Sequence, residues 1–357
     1  MRSWKDNLRK IDPYVPGEQP NLPDMIKLNT NENPYPPSPK VEQALREFET
    51  DALRLYPDPN SQLLVDALAK RYGLESNQIF VGVGSDDVLA IAFMTFFNSG
   101  KPILFPDITY SFYDVWANLF QIPFERPVLD EDFHIVKEDY YKENGGIVLA
   151  NPNAPTGVKQ DLDFLRDIIE HNRDVIVLID EAYADFGKIS ALELTREYDN
   201  VVVIQTFSKS RSMAGMRIGY AMGNPELIRA MNDVRYSYNS YPMTRLSVAL
   251  GVAAVEDEDY FQKTVEKVID TREWTKRELS RLGFHFQDSM TNFIFAAHDR
   301  VPAQIIFEKL REKHIFVRHF STPKIENYLR ISIGTQEEME IFIRETEKIL
   351  QAYGNHS

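Results

Sequence analysis

The sequence of 357 residues contains no cysteine. Without cysteine the protein has no disulfide bridges, no thiolate metal ligands, no iron–sulfur clusters and no cysteine nucleophile. The absence of cysteine also fits a reducing compartment. The seven histidines show no His-Glu-x-x-His spacing or other zinc-ligand pattern, so no metal site is predicted.

Long apolar segments and an excess of positive charge are also missing. The longest apolar run covers residues 88–97 and is interrupted by Thr95, whereas a helix that spans a bilayer needs about 20 residues. The first seven residues show no apolar core of a signal peptide. Acidic side chains outnumber basic ones by 54 to 40, and the net charge of −14 disfavours non-specific binding to nucleic acid or anionic membranes. We therefore expect a cytoplasmic protein without nucleic-acid or membrane partners.

Short apolar runs alternate with helical patterns between residues 41 and 240. The strand-like runs lie at 79–83, 103–105, 147–150, 175–179 and 201–204. The last two runs are apolar throughout, which is typical of strands that helices cover on both faces, as in a parallel sheet. This pattern predicts a large α/β domain over residues 41–240.

The chain before and after this region has a different character. Helical patterns at 258–281, 302–313 and 336–352 and strand-like runs at 293–297, 315–317 and 328–333 predict a smaller α/β domain over residues 241–357. Residues 11–39 are rich in proline and asparagine, a composition that cannot sustain a helix or a central strand. We interpret residues 1–40 as an extended arm that contributes to the small domain and to a dimer interface.

Polar residues follow several of the predicted strands directly. In an open α/β sheet, ligands bind beyond the carboxyl ends of the strands, so these residues are candidates for a functional site. The candidates are Gly84, Ser85 and Asp86 after the first strand, Asn153 after the third, Asp180 and Tyr183 after the fourth, and Ser208 and Lys209 after the fifth.

The segment from Gly82 to Asp87 leads from a predicted strand into a helix. Backbone amides at a helix N-terminus bind phosphate well. The segment lacks the third glycine of a dinucleotide fingerprint and the Gly-Lys-Ser/Thr ending of a P-loop, so neither nucleotide site is supported. Taken alone, it fits an ordinary helix start with Ser85 as the N-cap residue.

Asp180 and Lys209 each follow a buried strand. A carboxylate there is costly unless it meets a cation or a proton donor, so Asp180 could cap a helix, hold a protonated ring nitrogen or, less well supported, bind a metal. Lys209 alone could be a surface charge, but it is also a candidate Schiff-base amine, and Arg217 could add charge to a bound phosphate. A phosphate cradle, a carboxylate for a pyridinium nitrogen and a lysine for an aldehyde together describe pyridoxal phosphate.

Three motifs resemble those of the fold-type-I pyridoxal-phosphate aminotransferases, the superfamily of aspartate aminotransferase. They are NPNAPTG at 151–157, DEAY at 180–183, and SKS followed by AGMRIG within 208–219. Ala154 stands where many relatives carry a second asparagine, and Asn153 is intact. The resemblance implies a fold-type-I PLP-transferase with a mostly parallel seven-stranded sheet in the large domain, a smaller α/β domain, pyridoxal 5'-phosphate and a homodimer.

The resemblance also implies a role for individual residues. Lys209 forms the Schiff base and then moves the proton, while Asp180 keeps the pyridine nitrogen protonated. Asn153 and Tyr183 bond the phenolic oxygen of the ring, and Tyr110 stacks on its face. The residues implied to hold the cofactor phosphate are Gly84, Ser85, Asp86 (through backbone amides), Ser208, Arg217 and, from the neighbouring subunit, Tyr56; those implied to contact substrate are Tyr14, Arg318 and Arg330.

Within the superfamily, N-terminal segments are most similar to the histidinol-phosphate aminotransferase family. These segments are PYVPG at 13–17, LNTNENP at 28–34 and YPDP at 56–59. The resemblance implies ping-pong transamination of L-histidinol phosphate with 2-oxoglutarate in histidine biosynthesis. Two alternatives on the same scaffold are an aromatic-amino-acid aminotransferase and a threonine-phosphate decarboxylase. A remote alternative is an aminotransferase-like regulatory module, although no basic helix precedes the arm.

Overall fold

The strand-forming runs pair into two separate sheets in the computed structural model, which describes residues 3–354. Residues 1, 2 and 355–357, which belong to the predicted arm and to the predicted small domain, lie outside the described residues. The strands are β1 (Ile26–Leu28), β2 (Ile79–Gly82), β3 (Ile103–Leu104), β4 (Phe124–Glu125), β5 (Ile147–Ala150), β6 (Val177–Asp180), β7 (Val201–Thr206), β8 (Gly219–Gly223), β9 (Phe284–Phe286), β10 (Phe293–His298), β11 (Ile315–His319) and β12 (Leu329–Ser332).

Helices cover both sheets. They are α1 (Pro39–Arg46), α2 (Gln62–Tyr72), α3 (Gly84–Phe96), α4 (Phe112–Phe120), α5 (Leu162–Glu170), α6 (Ala184–Gly187), α7 (Leu194–Glu197), α8 (Pro225–Tyr238), α9 (Arg245–Val255), α10 (Glu258–Arg281), α11 (Ala303–Glu312) and α12 (Gln336–Gly354). Within residues 3–354, no helix combines the length and the apolar character that crossing a bilayer requires.

The larger sheet has seven strands in the order β2-β8-β7-β6-β5-β3-β4. Its neighbouring strands run parallel, except that β8 runs antiparallel to both β2 and β7. The predicted fold class, a mostly parallel seven-stranded sheet covered by helices, is therefore confirmed. Strand β8 was not among the predicted strands, because its two terminal glycines interrupt the apolar pattern.

Side chains of the central strands pack alternately into two layers, because successive residues of a strand point to opposite faces. Val148, Leu178 and Val202 pack with α3, α4 and α8 on one face. Their neighbours Leu149, Ile179 and Val203 pack on the other face with α2, α5 and α9. This double burial explains why the strands are apolar throughout, and their parallel pairing brings their carboxyl ends to one edge of the sheet.

The smaller sheet has five strands in the order β1-β11-β12-β10-β9. Strand β1 runs parallel to β11, and the other pairs are antiparallel. Helices α10, α11 and α12 supply the apolar residues that pack on it. Strand β1 comes from the proline-rich arm, where three residues pair at the edge of the sheet and a longer strand could not form.

The start of α3 differs from the prediction that Ser85 is its N-cap residue. The helix begins at Gly84, and the N-cap residue is Val83, whose side chain makes no capping hydrogen bond and whose backbone amide donates to Asp87 Oδ2 at 2.9 Å. Gly84 has a φ of +83°, a conformation that glycine adopts without strain, so the chain turns into the helix two residues earlier than predicted. Ser85 therefore lies within the first turn, with its backbone amide among those that have no partner in the helix.

Candidate active site

A cavity of about 310 Å³ lies at the carboxyl edge of the large sheet, between that sheet, the arm and the small sheet. It brings together most of the candidate residues of the sequence. Those that line it are Tyr14, Ser85, Asp86, Tyr110, Asp180, Tyr183, Ser208, Lys209, Arg217, Arg318 and Arg330. Three candidates, Gly84, Asn153 and Tyr56, are not part of its wall.

Lys209 lies three residues beyond the end of β7. Its Nζ donates a hydrogen bond to the backbone oxygen of Thr30 at 3.2 Å and lies 5.8 Å from the centroid of the Tyr183 ring. Among residues 3–354, no carboxylate forms an ion pair with this amine. The amine of Lys209 is thus held at the cavity wall without an ion pair, and Glu32, which also lines the cavity, forms its ion pair with Lys27.

Asp180 ends β6 and is almost completely buried. Its Oδ2 accepts a hydrogen bond from the Tyr113 hydroxyl at 2.7 Å, and its Oδ1 accepts one from the Ala182 amide at 3.2 Å. Burial raises the pKa of this carboxyl to about 6, although both hydrogen bonds lower it. No cation pairs with Asp180 within the described residues, so a cationic ring nitrogen in the cavity would supply the missing partner.

The N-terminus of α3, Ser208 and Arg217 form one corner of the cavity. Arg217 donates to Asp86 Oδ2 at 3.1 Å and to Ser208 Oγ at 3.4 Å. A Cβ atom at Gly84 would lie 2.4 Å from Arg217 Nη2, so only glycine allows the guanidinium to approach the helix start. The corner combines free helix amides, a hydroxyl and a guanidinium, a set of donors that suits a phosphate group.

Tyr110 and Tyr14 form an aromatic wall of the cavity. The Tyr110 hydroxyl donates to Asp86 Oδ1 at 2.9 Å, and the Tyr110 ring packs edge-on against Tyr113 at 5.7 Å between centroids. Tyr14 stacks on Phe112 at 4.3 Å and lies 6.5 Å from Tyr110. Both rings are therefore fixed by packing, and Tyr110 is also anchored by a carboxylate.

Asn153 lies behind the cavity wall. Its Nδ2 donates to the Ile108 oxygen at 2.9 Å and to Thr156 Oγ1 at 3.0 Å, and its Oδ1 accepts from Thr109 Oγ1 at 2.7 Å. The Asn153 amide therefore donates both of its hydrogens to other groups of the protein. Its neighbour Ala154 lines the cavity instead, with a methyl group that offers no hydrogen bond.

Arg318 and Arg330 come from adjacent strands of the small sheet and are directly paired in the β11–β12 register. Arg330 Nη2 donates to the Asn29 oxygen at 3.0 Å, and its buried Nε has no partner. Burial lowers the pKa of Arg330, but an arginine remains charged at neutral pH. Neither guanidinium forms an ion pair within residues 3–354, so both are available to an anion.

Tyr56 lies outside the cavity, on the protein surface. Its side chain is 78% exposed, its ring lies 4.9 Å from that of Tyr241, and Arg245 donates to its backbone oxygen at 2.6 Å. The turn thus has contacts within the chain, and the exposed Tyr56 side chain is not part of the wall of its own cavity. The role of Tyr56 in a neighbouring subunit stays a prediction.

Two further residues of the site were not identified from the sequence. Tyr113 holds Asp180, and Asn31 Nδ2 donates to the Tyr183 hydroxyl at 2.9 Å. Asn31 belongs to the LNTNENP segment, which indicated a family but not a contact. Nothing in the local pattern around Tyr113 distinguishes it from a core tyrosine.

The chain is similar to known proteins along nearly its whole length, and this similarity shows its class. A family model described as aminotransferase class I and II matches residues 23–345, and the chain therefore belongs to this class. Histidinol-phosphate aminotransferases from Lactococcus lactis subsp. cremoris (strain MG1363) and Brachyspira hyodysenteriae are 50% and 51% identical to it. These alignments cover 98% of this chain and 98% and 100% of the relatives. The resemblance to the histidinol-phosphate aminotransferase family is thus confirmed.

Solved structures agree on the fold. The crystal structure of histidinol-phosphate aminotransferase from Sinorhizobium meliloti in complex with pyridoxal-5'-phosphate superposes with a TM-score of 0.83 at 24% identity, covering 92% of this chain and 91% of that one. The corresponding enzyme from Clostridium acetobutylicum gives a TM-score of 0.84 at 19% identity, covering 92% of this chain and all of the other. These similarities show that the chain shares the fold of both enzymes.

Proposed function

We propose that this chain is a pyridoxal-phosphate enzyme that transfers the amino group of L-histidinol phosphate to 2-oxoglutarate, giving imidazole acetol phosphate and glutamate in histidine biosynthesis. The observation that carries the proposal is one cavity in which Lys209 and Asp180 face two arginines without acidic partners. Relatives of about 50% identity that bear the name histidinol-phosphate aminotransferase support the same substrate.

The residues of the cavity fit the cofactor. Asp180 is a buried carboxyl group that forms no ion pair with a cation, and the amine of Lys209 forms no ion pair with a carboxylate. The corner of the cavity formed by the N-terminus of α3, Ser208 and Arg217 offers several hydrogen-bond donors to a phosphate. When bound, pyridoxal phosphate supplies an electron sink for the carbon that carries the amino group. Asp180 would hold a proton at the ring nitrogen, and Lys209 would bind the cofactor covalently and move the proton at the substrate carbon.

The two arginines suit both substrates. Histidinol phosphate carries a phosphate and no carboxylate, whereas 2-oxoglutarate carries two carboxylates, and the planar guanidinium can bind either anion with two hydrogen bonds. Arg330, supported by Arg318, would therefore meet a different anion in each half-reaction, as expected when both substrates use one site in turn. Tyr14 would complete the substrate side of the cavity.

We also propose a homodimer in which Tyr56 reaches the cofactor phosphate of the neighbouring subunit. Large apolar side chains near this turn are exposed, including Leu53 at 60%, Leu55 at 48% and Leu63 at 71%. Exposed apolar groups that lie together are typical of a surface that another protein covers. We also propose that the enzyme is cytoplasmic, which fits a sequence without cysteine.

A substrate panel tests the reaction. Purified protein loaded with cofactor is mixed, without an acceptor, with histidinol phosphate, phenylalanine or threonine phosphate, and the loss of the visible cofactor band is followed. We expect the largest specificity constant with histidinol phosphate and recovery of the band on adding 2-oxoglutarate. A preference for phenylalanine, or release of carbon dioxide from threonine phosphate, would instead support one of the two alternative enzymes. Binding of these compounds without conversion would support a regulatory module.

A further inference from the structure

The hydroxyl of Tyr183 is held by a chain of hydrogen bonds that begins in the small sheet. Asn31 donates from its backbone amide to Ser332 Oγ at 2.9 Å, and Ser332 Oγ donates back to Asn31 Oδ1 at 2.8 Å. Asn31 Nδ2 then donates to the Tyr183 hydroxyl at 2.9 Å. The Asn31 backbone oxygen is held by Asn292 Nδ2 at 2.9 Å, so both ends of the asparagine are fixed.

The partners of Asn31 determine which way its amide points. Ser332 Oγ already accepts the Asn31 backbone hydrogen, so its own hydrogen needs an acceptor, and Asn31 Oδ1 is the one within reach among the described residues. If the amide were turned over, Ser332 would face two donors and its hydroxyl hydrogen would be left without an acceptor. Both residues are at most 2% exposed, where an unpaired polar hydrogen is costly. Ser332 therefore locks the Asn31 amide with its nitrogen toward Tyr183.

This orientation decides what Tyr183 can do. An amide nitrogen donates and cannot accept, so the tyrosine oxygen receives a hydrogen from Asn31 and keeps its own. Within residues 3–354, no group accepts the hydroxyl hydrogen of Tyr183. Because Tyr183 lines the cavity, that hydrogen is available to an oxygen atom of a bound ligand.

The other residue predicted to bind the phenolic oxygen of the cofactor lacks a free donor. Asn153 donates its two amide hydrogens to the Ile108 oxygen and to Thr156 Oγ1, and Ala154 offers only a methyl group. Tyr183 is thus the member of the predicted pair that still has a hydrogen to give. Whether the Tyr183 hydroxyl donates or accepts a hydrogen bond therefore matters more here than it would if a second donor lay beside it.

We propose that Asn31, locked by Ser332, is a positioning residue that keeps Tyr183 a hydrogen-bond donor toward the phenolic oxygen of the cofactor. This inference rests on the proposed function, because it requires pyridoxal phosphate in the cavity. A donor at that oxygen draws negative charge from it, so the nitrogen of the Lys209–cofactor link loses its proton more easily. The lock would therefore lower the pH at which the visible band of the loaded enzyme titrates.

Asn31→Asp is the sharpest perturbation. Asn31 has a φ of +57°, a left-handed conformation that aspartate also tolerates and alanine does not. The new carboxylate would accept the Tyr183 hydrogen, which reverses the polarity of the contact while the Ser332 bond is kept. We expect the midpoint of the band's pH titration to rise by about one pH unit, the size expected for the loss of one hydrogen bond to a charged group.

The new negative charge could raise the midpoint by itself, and a double-mutant cycle separates this effect from that of polarity. Tyr183→Phe alone should raise the midpoint by at least as much as Asn31→Asp. Adding Asn31→Asp to Tyr183→Phe should then raise the midpoint by less than half as much as it does in the unmodified protein, because only the effect of the new charge remains when the group through which Asn31 acts is gone. The other charged groups that face the cavity are unchanged in all variants: Glu32, Asp86, Asp180, Arg217, Arg318 and Arg330.

Equal shifts in both backgrounds would show that only charge acts, and no shift in either would show that Asn31 has no influence; both results overturn the proposal. Ser332→Ala provides an independent route, because it frees the amide to turn over without altering Asn31. It should raise the midpoint in the same direction, and an unchanged midpoint in this folded variant would also overturn the lock. Failure of the unmodified protein to form a visible band with pyridoxal phosphate would refute the proposed function instead.

Discussion

Asp180 carries a folding cost that asparagine would remove from the cofactor-free protein. Burial raises the pKa of its carboxyl from the ordinary value of 3.8 to about 6, so the folded protein holds this proton more tightly than the unfolded chain does. Stability from such a group is present at low pH and is lost as the pH rises from about 4 to about 6. A rise of about 2 pH units corresponds to about 3 kcal/mol of unfolding free energy at pH 8.

The Asp180→Asn variant carries no charge and avoids this cost. Its single side-chain oxygen can accept from the Tyr113 hydroxyl or from the Ala182 amide but not from both, which costs about 1 kcal/mol. We therefore expect the cofactor-free variant to be more stable than the unmodified protein by about 2 kcal/mol at pH 8. This advantage should shrink as the pH falls below 6 and vanish between pH 4 and pH 5, and at lower pH the variant should be less stable by up to about 1 kcal/mol, the cost of the lost hydrogen bond.

Urea unfolding of both proteins without cofactor, at several values between pH 4 and pH 8, measures this difference. Asp174→Asn, a change of the same chemistry at an exposed position, is the matched control and should give a difference near zero at every pH. With cofactor bound, Asp180→Asn should lose about a hundredfold in turnover, because a neutral amide cannot stabilise a pyridinium charge. A stability gain that does not vary with pH, or a loss at pH 8, would refute desolvation of Asp180 as the cause.

The remaining predictions concern the lysine, the substrate arginine and the dimer. Lys209→Ala should still bind some cofactor through the cofactor's phosphate group but should lose turnover by more than about a hundredfold. In the unmodified protein, borohydride treatment followed by peptide mapping should find the cofactor on Lys209 and on no other lysine. Arg330→Ala should slow both half-reactions and Arg330→Lys should recover only part, whereas the exposed Arg300→Ala should leave both unchanged; normal half-reactions in Arg330→Ala with cofactor bound would make this arginine structural. Equal mixtures of inactive Lys209→Ala and Tyr56→Ala proteins should recover about a quarter of the unmodified activity after subunit exchange, since half the dimers then hold one intact site; no recovery despite proven exchange would count against a shared site.

Local patterns led to the residues that the structure brings to one cavity. Asp180 directly follows an apolar run, Ser208 and Lys209 lie two and three residues beyond the end of β7, and the parallel sheet brings these strand ends to the same edge. Strand β8 was not predicted from the sequence because its glycines weaken the apolar pattern of a strand. Strand β1 was not predicted because its three residues lie in a proline-rich segment, where pairing with β11 and not local preference makes the strand.

Contacts between distant residues leave no local pattern. Tyr113 and Asp180 are 67 residues apart, and Asn31 and Tyr183 are 152 residues apart. Each pair meets only because separate elements converge on the cavity. The sequence could therefore suggest that Asp180 needs a partner, from the cost of burying a carboxylate, but it could not say which residue provides it.

Asn153 and Ala154 show how a motif can mark a place in the chain without saying which side chain points inward. The NPNAPTG segment directed attention to Asn153 because the superfamily resemblance implies a bond from this residue to the phenolic oxygen, which alanine could not make. In the folded chain, Asn153 turns its amide to Ile108, Thr109 and Thr156 and holds the loop together, while Ala154 takes the place in the cavity wall. Under the proposed function the consequence reaches beyond this loop, because Ala154 offers no hydrogen bond to the ring oxygen of the cofactor and the hydroxyl of Tyr183 would be the donor to it. The hydrogen bonds from Ser332 through Asn31 to Tyr183 would then have the chemical role that we propose, in addition to their part in joining the two sheets.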